Sequence, residues 1–322
     1  MDTAYHLLQS YPQAQINLVI GKGTSFLNRS KLFPTNIQKY NLFGNTTFGE
    51  FMMEHALLFN GDNEDDVMCH FKLCYGLNLD SKSEQCMCGI LSPQENDFIR
   101  NGIHSVIRDY VVDIHDDQEL IMTLRSGKSI KIERQSWIIN CTGYLYKHKS
   151  IYEPYLTKQG HVLSIQQTSG IMIFPSIGSY FLSSLFFLNT LHTIPYYELD
   201  HESLNRKNKN AYIFTAMIQS LYNSIVILDY VPFGVVYDCH LNLDKWYPLY
   251  RQIKTVLYIK YYQSFIVNHC RKVLNYVGDK YDVHCGLLDH LSLRREGNQM
   301  GYAPLTLALV TILTSVLIKC FI

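Results

Sequence analysis

Trp137-Ile138-Ile139-Asn140-Cys141-Thr142-Gly143-Tyr144 is the segment whose residue types best suit chemistry. An apolar strand that ends in small residues lets backbone approach a bulky cofactor at the carboxyl edge of a sheet. The same residues also suit an ordinary strand followed by a turn. Cys69-His70, Cys74 and Cys86-Met87-Cys88 offer thiolates and an imidazole of the kind zinc accepts. Their spacing lacks a paired Cys-x-x-Cys, so buried or loop thiols explain them as well. Asp282, His284, Asp289 and His290 suggest an acid–base or metal cluster, set in a polar stretch. His115-Asp116-Asp117 reads as a solvent-facing turn. No serine sits in a nucleophile-elbow sequence.

Elements that would position these groups follow from hydrophobic spacing. Ala4, Leu7 and Leu8 share one helical face, and Tyr11-Pro12 stops that helix. Ile16 to Ile20 is a short apolar strand running into Gly21-Lys22-Gly23. Phe48 to Phe59 suits a helix. From Leu77 to Cys88 the pattern is polar and assigns no element. Ser92-Pro93 with Glu95 is a helix start, with the cap, the first-turn proline and the capping-box glutamate in place. Ile103 to Ile114, Leu120 to Leu124 and Ile130 to Ile132 read as strands, the last two joined at Ser126-Gly127. Trp137 to Ile139 reads as a fourth, buried strand. Gly170 to Pro175 reads as another, followed by a helix from Tyr180 to Leu191. Long helices are expected between Lys207 and Asp289, broken at Pro232-Phe233-Gly234 and Trp246-Tyr247-Pro248. Their aromatics, Tyr258, Tyr261, Tyr262 and Phe265, suit either a partner surface or a helical core.

The composition narrows the function classes. Lys+Arg and Asp+Glu both number 28, so the net charge is zero. That argues against a nucleic-acid binder, which neutralises phosphates with a basic excess. Nine scattered cysteines suit reduced thiols on a cytosolic side better than a disulfide scaffold. The first residues have neither a basic nor an apolar signal-peptide region. Met300 to Ile318 carries no charge and is long enough to cross a bilayer as a helix. Arg294-Arg295 just before it would hold the main body on the cytoplasmic side. The expectation is a single C-terminal pass.

Gly89-Ile90-Leu91-Ser92-Pro93 with its helix, the meander turning at Ser126-Gly127, and the Ile-Ile-Asn-Cys-Thr-Gly-Tyr strand together resemble one part of the flavin-containing monooxygenases. That part is the C-terminal portion of their nicotinamide domain, and related FAD/NAD(P)-binding oxidoreductases share it. The resemblance spans roughly residues 1–190. It implies that Thr142-Gly143 links an NADPH domain back to a FAD domain, with Asn140, Cys141, Thr142 and Gly143 lining the cofactor cleft. It implies that Met1 to Leu8 is the helix after a phosphate loop and that Ile16 to Ile20 is the second Rossmann strand. Lys22 then stands where the family often has an arginine for the NADP 2′-phosphate, assisted by Arg29 and Lys31. Phe174 to Gly178 falls where such proteins return to the FAD domain, which puts Gly178 on the flavin side.

The departures are as informative. No Gly-x-Gly-x-x-Gly occurs in the chain, so neither dinucleotide fingerprint is present. Ile177-Gly178-Ser179 lacks the family's acidic contact to flavin. The implied fold is α/β. A partial Rossmann-type dinucleotide-binding domain with a β-meander spans 1–145. The remainder of a FAD-side domain and a mainly helical region span 146–298, and a hydrophobic tail spans 299–322. The implied activity is FAD- and NADPH-dependent oxidation of a small-molecule substrate, FAD being held weakly by this chain alone. No catalytic acid or base stands out. The alternative is a non-catalytic, membrane-anchored remnant of the fold that serves interaction or structure.

Overall fold

The computed structural model describes residues 2–41, 46–79, 85–116, 119–133, 135–141, 163, 171–239 and 243–287. In chain order the elements are α1 (Asp2–Ser10), β1 (Asn17–Val19), β2 (Thr24–Asn28), α2 (Arg29–Leu32), α3 (Phe48–Leu58) and α4 (Glu64–Tyr75). Next come β3 (Gly76–Asn78), β4 (Gln85–Leu91), α5 (Pro93–Gly102), β5 (Ser105–Ile107), β6 (Val111–Asp116), β7 (Leu120–Leu124) and β8 (Ser129–Ile132). The rest are α6 (Pro175–Phe187), β9 (Tyr197–Leu199), α7 (His201–Lys207), α8 (Lys209–Tyr230), α9 (Phe233–Asp238), α10 (Leu249–Tyr261), α11 (Gln263–Tyr281) and β10 (Cys285–Leu287). The chain divides into two compact units, residues 1–38 with 69–148 and residues 39–68 with 149–322.

In the first unit, α1 buries Ala4 and Leu8 in one cluster with Leu79, Leu91 and Ile99. The Tyr5 and Phe98 rings meet edge to face at 5.1 Å, which joins α1 to α5. The start of α5 follows its sequence: Ser92 and Glu95 form the reciprocal capping box, with Pro93 in the first turn. β1 and β5 pair in parallel, Leu18 opposite Val106 and Val19 opposite Ile107. β2 lies between β3 and β4, parallel to β4. β6, β7 and β8 form the expected antiparallel meander, turned at Gly127 with φ +85°.

In the second unit, α8 is the central element. Asn208 caps it by accepting from the backbone N–H groups of Asn210 and Ala211. α8 is buried on almost every side and packs on α3, α7, α11 and β9. It is also the one described helix long and apolar enough to cross a membrane, with 78% of its apolar window buried inside the protein. Polar residues on it bind backbone in the interior. The Asn223 side chain accepts from Tyr197 N and donates to the carbonyls of Tyr197 and Ile171. The Gln219 amide donates to Tyr197 O and meets the buried His201 ring.

The architecture is therefore mixed α/β, with a meander in the first unit and helices dominating the second. The described strands lie in four small sheets of two or three strands each, which do not establish the expected partial Rossmann-type domain. Several local expectations are corrected. The strand proposed for 103–114 is two strands in different sheets, because the chain turns at Asp109, whose carboxylate accepts from Tyr110 N and Ser126 N. Trp137 to Ile139 is not a strand and is exposed, Trp137 by 92%. An apolar strand is buried only with a neighbouring strand and a covering layer, and no described strand pairs with this segment. Residues 171–174 form bends, and α6 starts at Pro175, earlier than Tyr180. α4 and β3 arise where no element was assigned; Glu64, Asp65 and Asp66 favour the N-terminal turn of α4 electrostatically. The proposed tail at 299–322 lies outside the described residues.

Candidate functional site

The carboxyl ends of a parallel strand pair are where α/β proteins hold ligands. Here that place is the exit of β1 and β5. Ile20 N donates to Ile107 O and Gly21 N to Asp109 O, each at 3.0 Å, so the two exits are bound side by side. The turn then closes, with Gly23 N donating to Ile20 O at 2.8 Å. Gly21 and Gly23 adopt φ of +54° and +73°, a region that disfavours side chains. At Gly21 a Cβ would also lie 2.7 Å from Cε1 of Tyr110. Lys22 stands exposed between these glycines, and the exposed Arg108 immediately follows β5.

The meander supplies the other side of this corner. Arg125 N donates to Tyr110 O at 2.8 Å, and its guanidinium sits 4.1 Å from the Tyr110 ring centroid. Asp109 fixes the geometry: hydrogen bonds from Ser126 and from the Tyr110 N–H hold its carboxyl below the usual aspartate range. The result is a cationic corner: Arg125 lies over the Tyr110 ring, and Lys22 and Arg108 follow the two adjoining strand exits. Such a set can pair a phosphate and lay a planar group against an aromatic or guanidinium face.

The other expected site residues separate. Arg29 bridges Glu95 at 2.5 Å, so its guanidinium serves the junction of α2 with α5. Lys31 donates to Cys74 O. Asn140 and Cys141 are exposed, and Cys141 Sγ lies 3.9 Å from Thr3 Oγ1. That contact brings Cys141 to the N-terminus of α1, within the same unit as Lys22. Thr142 and Gly143 lie outside the described residues. Gly178 is buried in α6, where a Cβ would meet Ile171 and Met172 at 3.4 and 3.6 Å, a packing position in the second unit. Sequence reasoning missed Arg108, Tyr110 and Arg125. Arg108 and Tyr110 were absorbed into one long strand; Arg125, next to the Ser126-Gly127 turn, had a signal that went unused.

Other candidates resolve into ordinary contacts. His70 and Cys74 approach at 3.8 Å, one turn apart on α4. Among the described residues no group of three or more His, Cys, Asp or Glu is arranged to hold a metal. His284 Nε2 lies 3.3 Å from the buried Glu198 carboxylate, whereas Asp289 and His290 fall outside the described residues. A cleft of about 420 Å³ beside the first turn of α5, lined by Asn78, Asn96, Asp97 and Arg100 among others, shares no residue with the cationic corner.

No protein-family model matches this chain, and neither a curated protein nor a solved structure matches it. The site and fold define its class as a mixed α/β protein with a cationic corner at a parallel strand exit.

Proposed function

We propose that the first unit binds the 2′-phosphorylated adenosine end of NADP(H) at the corner of Lys22, Arg108, Arg125 and Tyr110. The chain is then the nicotinamide-nucleotide side of a membrane-attached, FAD- and NADPH-dependent oxidoreductase of the flavin monooxygenase type. The observation that carries this reading is the parallel β1–β5 pair, beyond whose carboxyl end Arg108 and Lys22 follow on the two strands. Lys22 and Arg108 supply charge for the phosphate; the Tyr110 ring and Arg125 supply flat faces for the base. Bound NADPH would supply hydride; the residues named here bind and orient it. For FAD the fit fails in this chain, because no Gly-x-Gly-x-x-Gly sequence occurs to cradle its pyrophosphate.

Fluorescence titration of the full chain tests the reading. NADPH and 2′,5′-ADP are expected to bind, and NADH more weakly. Lys22→Gln and Arg108→Gln should each weaken NADPH roughly tenfold, in keeping with the loss of one charge-assisted hydrogen bond, and leave NADH almost unchanged. Equal affinity for NADH and NADPH, unaffected by both substitutions, would reject it.

A second reading has its own support. The exposed Trp137-Ile138-Ile139 and the missing glycine loops favour a non-catalytic, membrane-anchored remnant that serves interaction. In both readings Met300 to Ile318 is the single membrane pass, with the body on the cytoplasmic side. A chain that binds NADPH yet transfers no hydride to added FAD would favour the remnant.

A further inference from the structure

The corner where α10 meets α11 differs from the rest of the surface. Tyr261 is 82% exposed and Phe265 62%, and Leu257, Tyr258 and Tyr262 are also exposed. They form one patch: Tyr258 and Tyr262 lie 4.7 Å apart between ring centroids, and Tyr261 and Tyr262 4.8 Å. On α11 the Phe265 ring stacks on His269 at 6.5 Å and still stays exposed. The buried face of α11 is carried instead by Ile266, Cys270, Val273, Leu274 and Val277.

The segment that carries this patch is one-sided in charge, with Asp229 of α8 beside Lys260 and 3.5 Å from the Gln263 amide as its acidic neighbour. From Lys245 to Gly278 the chain holds Lys245, Arg251, Lys254, Lys260, Arg271 and Lys272 but no Asp or Glu, in a protein of zero net charge. Arg251 is buried and Arg271 lies over the Tyr222 ring, so these two serve the interior. Lys245 and Lys272 are exposed, and Lys254 is 40% exposed beside Glu50. Lys272 follows Phe265 by two turns of α11, so both stand on one stripe. Exposed tyrosines with flanking lysines are what a bilayer interface selects. The rings sit at headgroup level, and the amines meet lipid phosphate.

The sequence beyond β10 fits the same occupant. Met300 to Ile318 is uncharged and of bilayer-spanning length. Residues 288–299 separate it from Leu287, a length that reaches at most about 3.5 Å per residue. That exceeds the length of α11, at about 1.5 Å per residue. A stretch in the membrane and a docked aromatic corner are therefore compatible in one chain.

We propose that the α10–α11 corner is a docking surface for an anionic phospholipid bilayer. Tyr258, Tyr261, Tyr262 and Phe265 enter the headgroup layer, and Lys260 and Lys272 meet lipid phosphates. The surface acts as a second membrane signal beside the apolar stretch and fixes how the helical unit lies on the bilayer. It is independent of nucleotide binding, so failure of either reading leaves the other standing.

Co-sedimentation of the full chain with phosphatidylcholine vesicles, with and without phosphatidylserine, tests it. The readout is the preference for phosphatidylserine, because an apolar span enters both lipids alike. The wild type should prefer the anionic vesicles and lose that preference as salt rises. Lys260→Gln and Lys272→Gln should each reduce it roughly fivefold. Tyr261→Ser with Phe265→Ser should weaken anionic-vesicle binding roughly tenfold at unchanged far-ultraviolet circular dichroism. Should that pair unfold the chain, Tyr261→Ser alone, at the most exposed ring, replaces it. Equal sedimentation on both lipids, or a preference untouched by salt and by every variant, overturns the proposal. So does binding of poly(U) that these substitutions abolish while lipid preference is absent, which would assign the patch to single-stranded nucleic acid.

Discussion

At the scale of single residues, the candidate site depends on a glycine that two constraints hold in place. Gly21 combines a left-handed φ of +54° with the Tyr110 ring 2.7 Å from any Cβ. Gly21→Ala must strain the backbone and displace that ring, and with it the face on which Arg125 rests. A loss of about 1–3 kcal/mol is expected, measured by denaturant unfolding, together with weaker NADPH binding. Gly127, also at positive φ, has nothing within 4 Å of its added Cβ, so the clash at Gly21 comes from the Tyr110 ring and not from the turn itself. The Gly-Lys-Gly sequence was visible from the start. The tyrosine that makes the first glycine necessary lies nearly ninety residues away and was invisible until β1 and β5 were seen together.

At the scale of elements, α5 shows how closely a helix start can be written into a sequence, and how a site residue can be recruited to it. Glu95 receives the Ser92 N–H at 2.8 Å and pairs with Arg29. Burial raises its pKa, but the Ser92 hydrogen bonds and Arg29 outweigh that, leaving it below the usual 4.5. A carboxyl held low in the folded state contributes stability that is full above 4.5 and fades as pH falls through its depressed value. Glu95→Gln should therefore destabilise the protein at neutral pH by about 1 kcal/mol. That gap should close in acid, as followed by denaturant midpoints across the pH range. Arg29 was assigned to a nucleotide phosphate by resemblance; its place beside Glu95 makes it part of this cap. The capping box was legible because it is local, within four residues. The pairing with Arg29 was not, because it crosses between distant segments.

At the scale of the molecule, each unit has its own core, and the second is organised about α8. Asn223 is fully buried there, and its amide serves three backbone groups in two segments. Asn223→Ala would leave the Tyr197 N–H and the Ile171 carbonyl without that partner. A cost of about 2–4 kcal/mol is expected, read as a lowered midpoint by circular dichroism, which the helices of this unit dominate. The same amide explains why a helix apolar enough for a bilayer lies inside the protein. Its polar side chains have backbone to satisfy, and hydrocarbon would leave them empty.

Local order was already present in the chain: the α1 face, the Ser92 cap, the meander turn at Gly127 and the breaks at Pro232 and Pro248 depend on neighbours a few residues apart. Spacing and turn chemistry suffice for these. Trp137 to Ile139 marks the limit. Its residues specify a strand, yet a strand is defined by the partner beside it, and the folded chain offers this segment none among the described residues. The same holds for the site. Lys22 was nameable from its strand, whereas Arg108, Tyr110 and Arg125 became a site only when parallel pairing of β1 with β5 brought residues far apart in sequence to one corner.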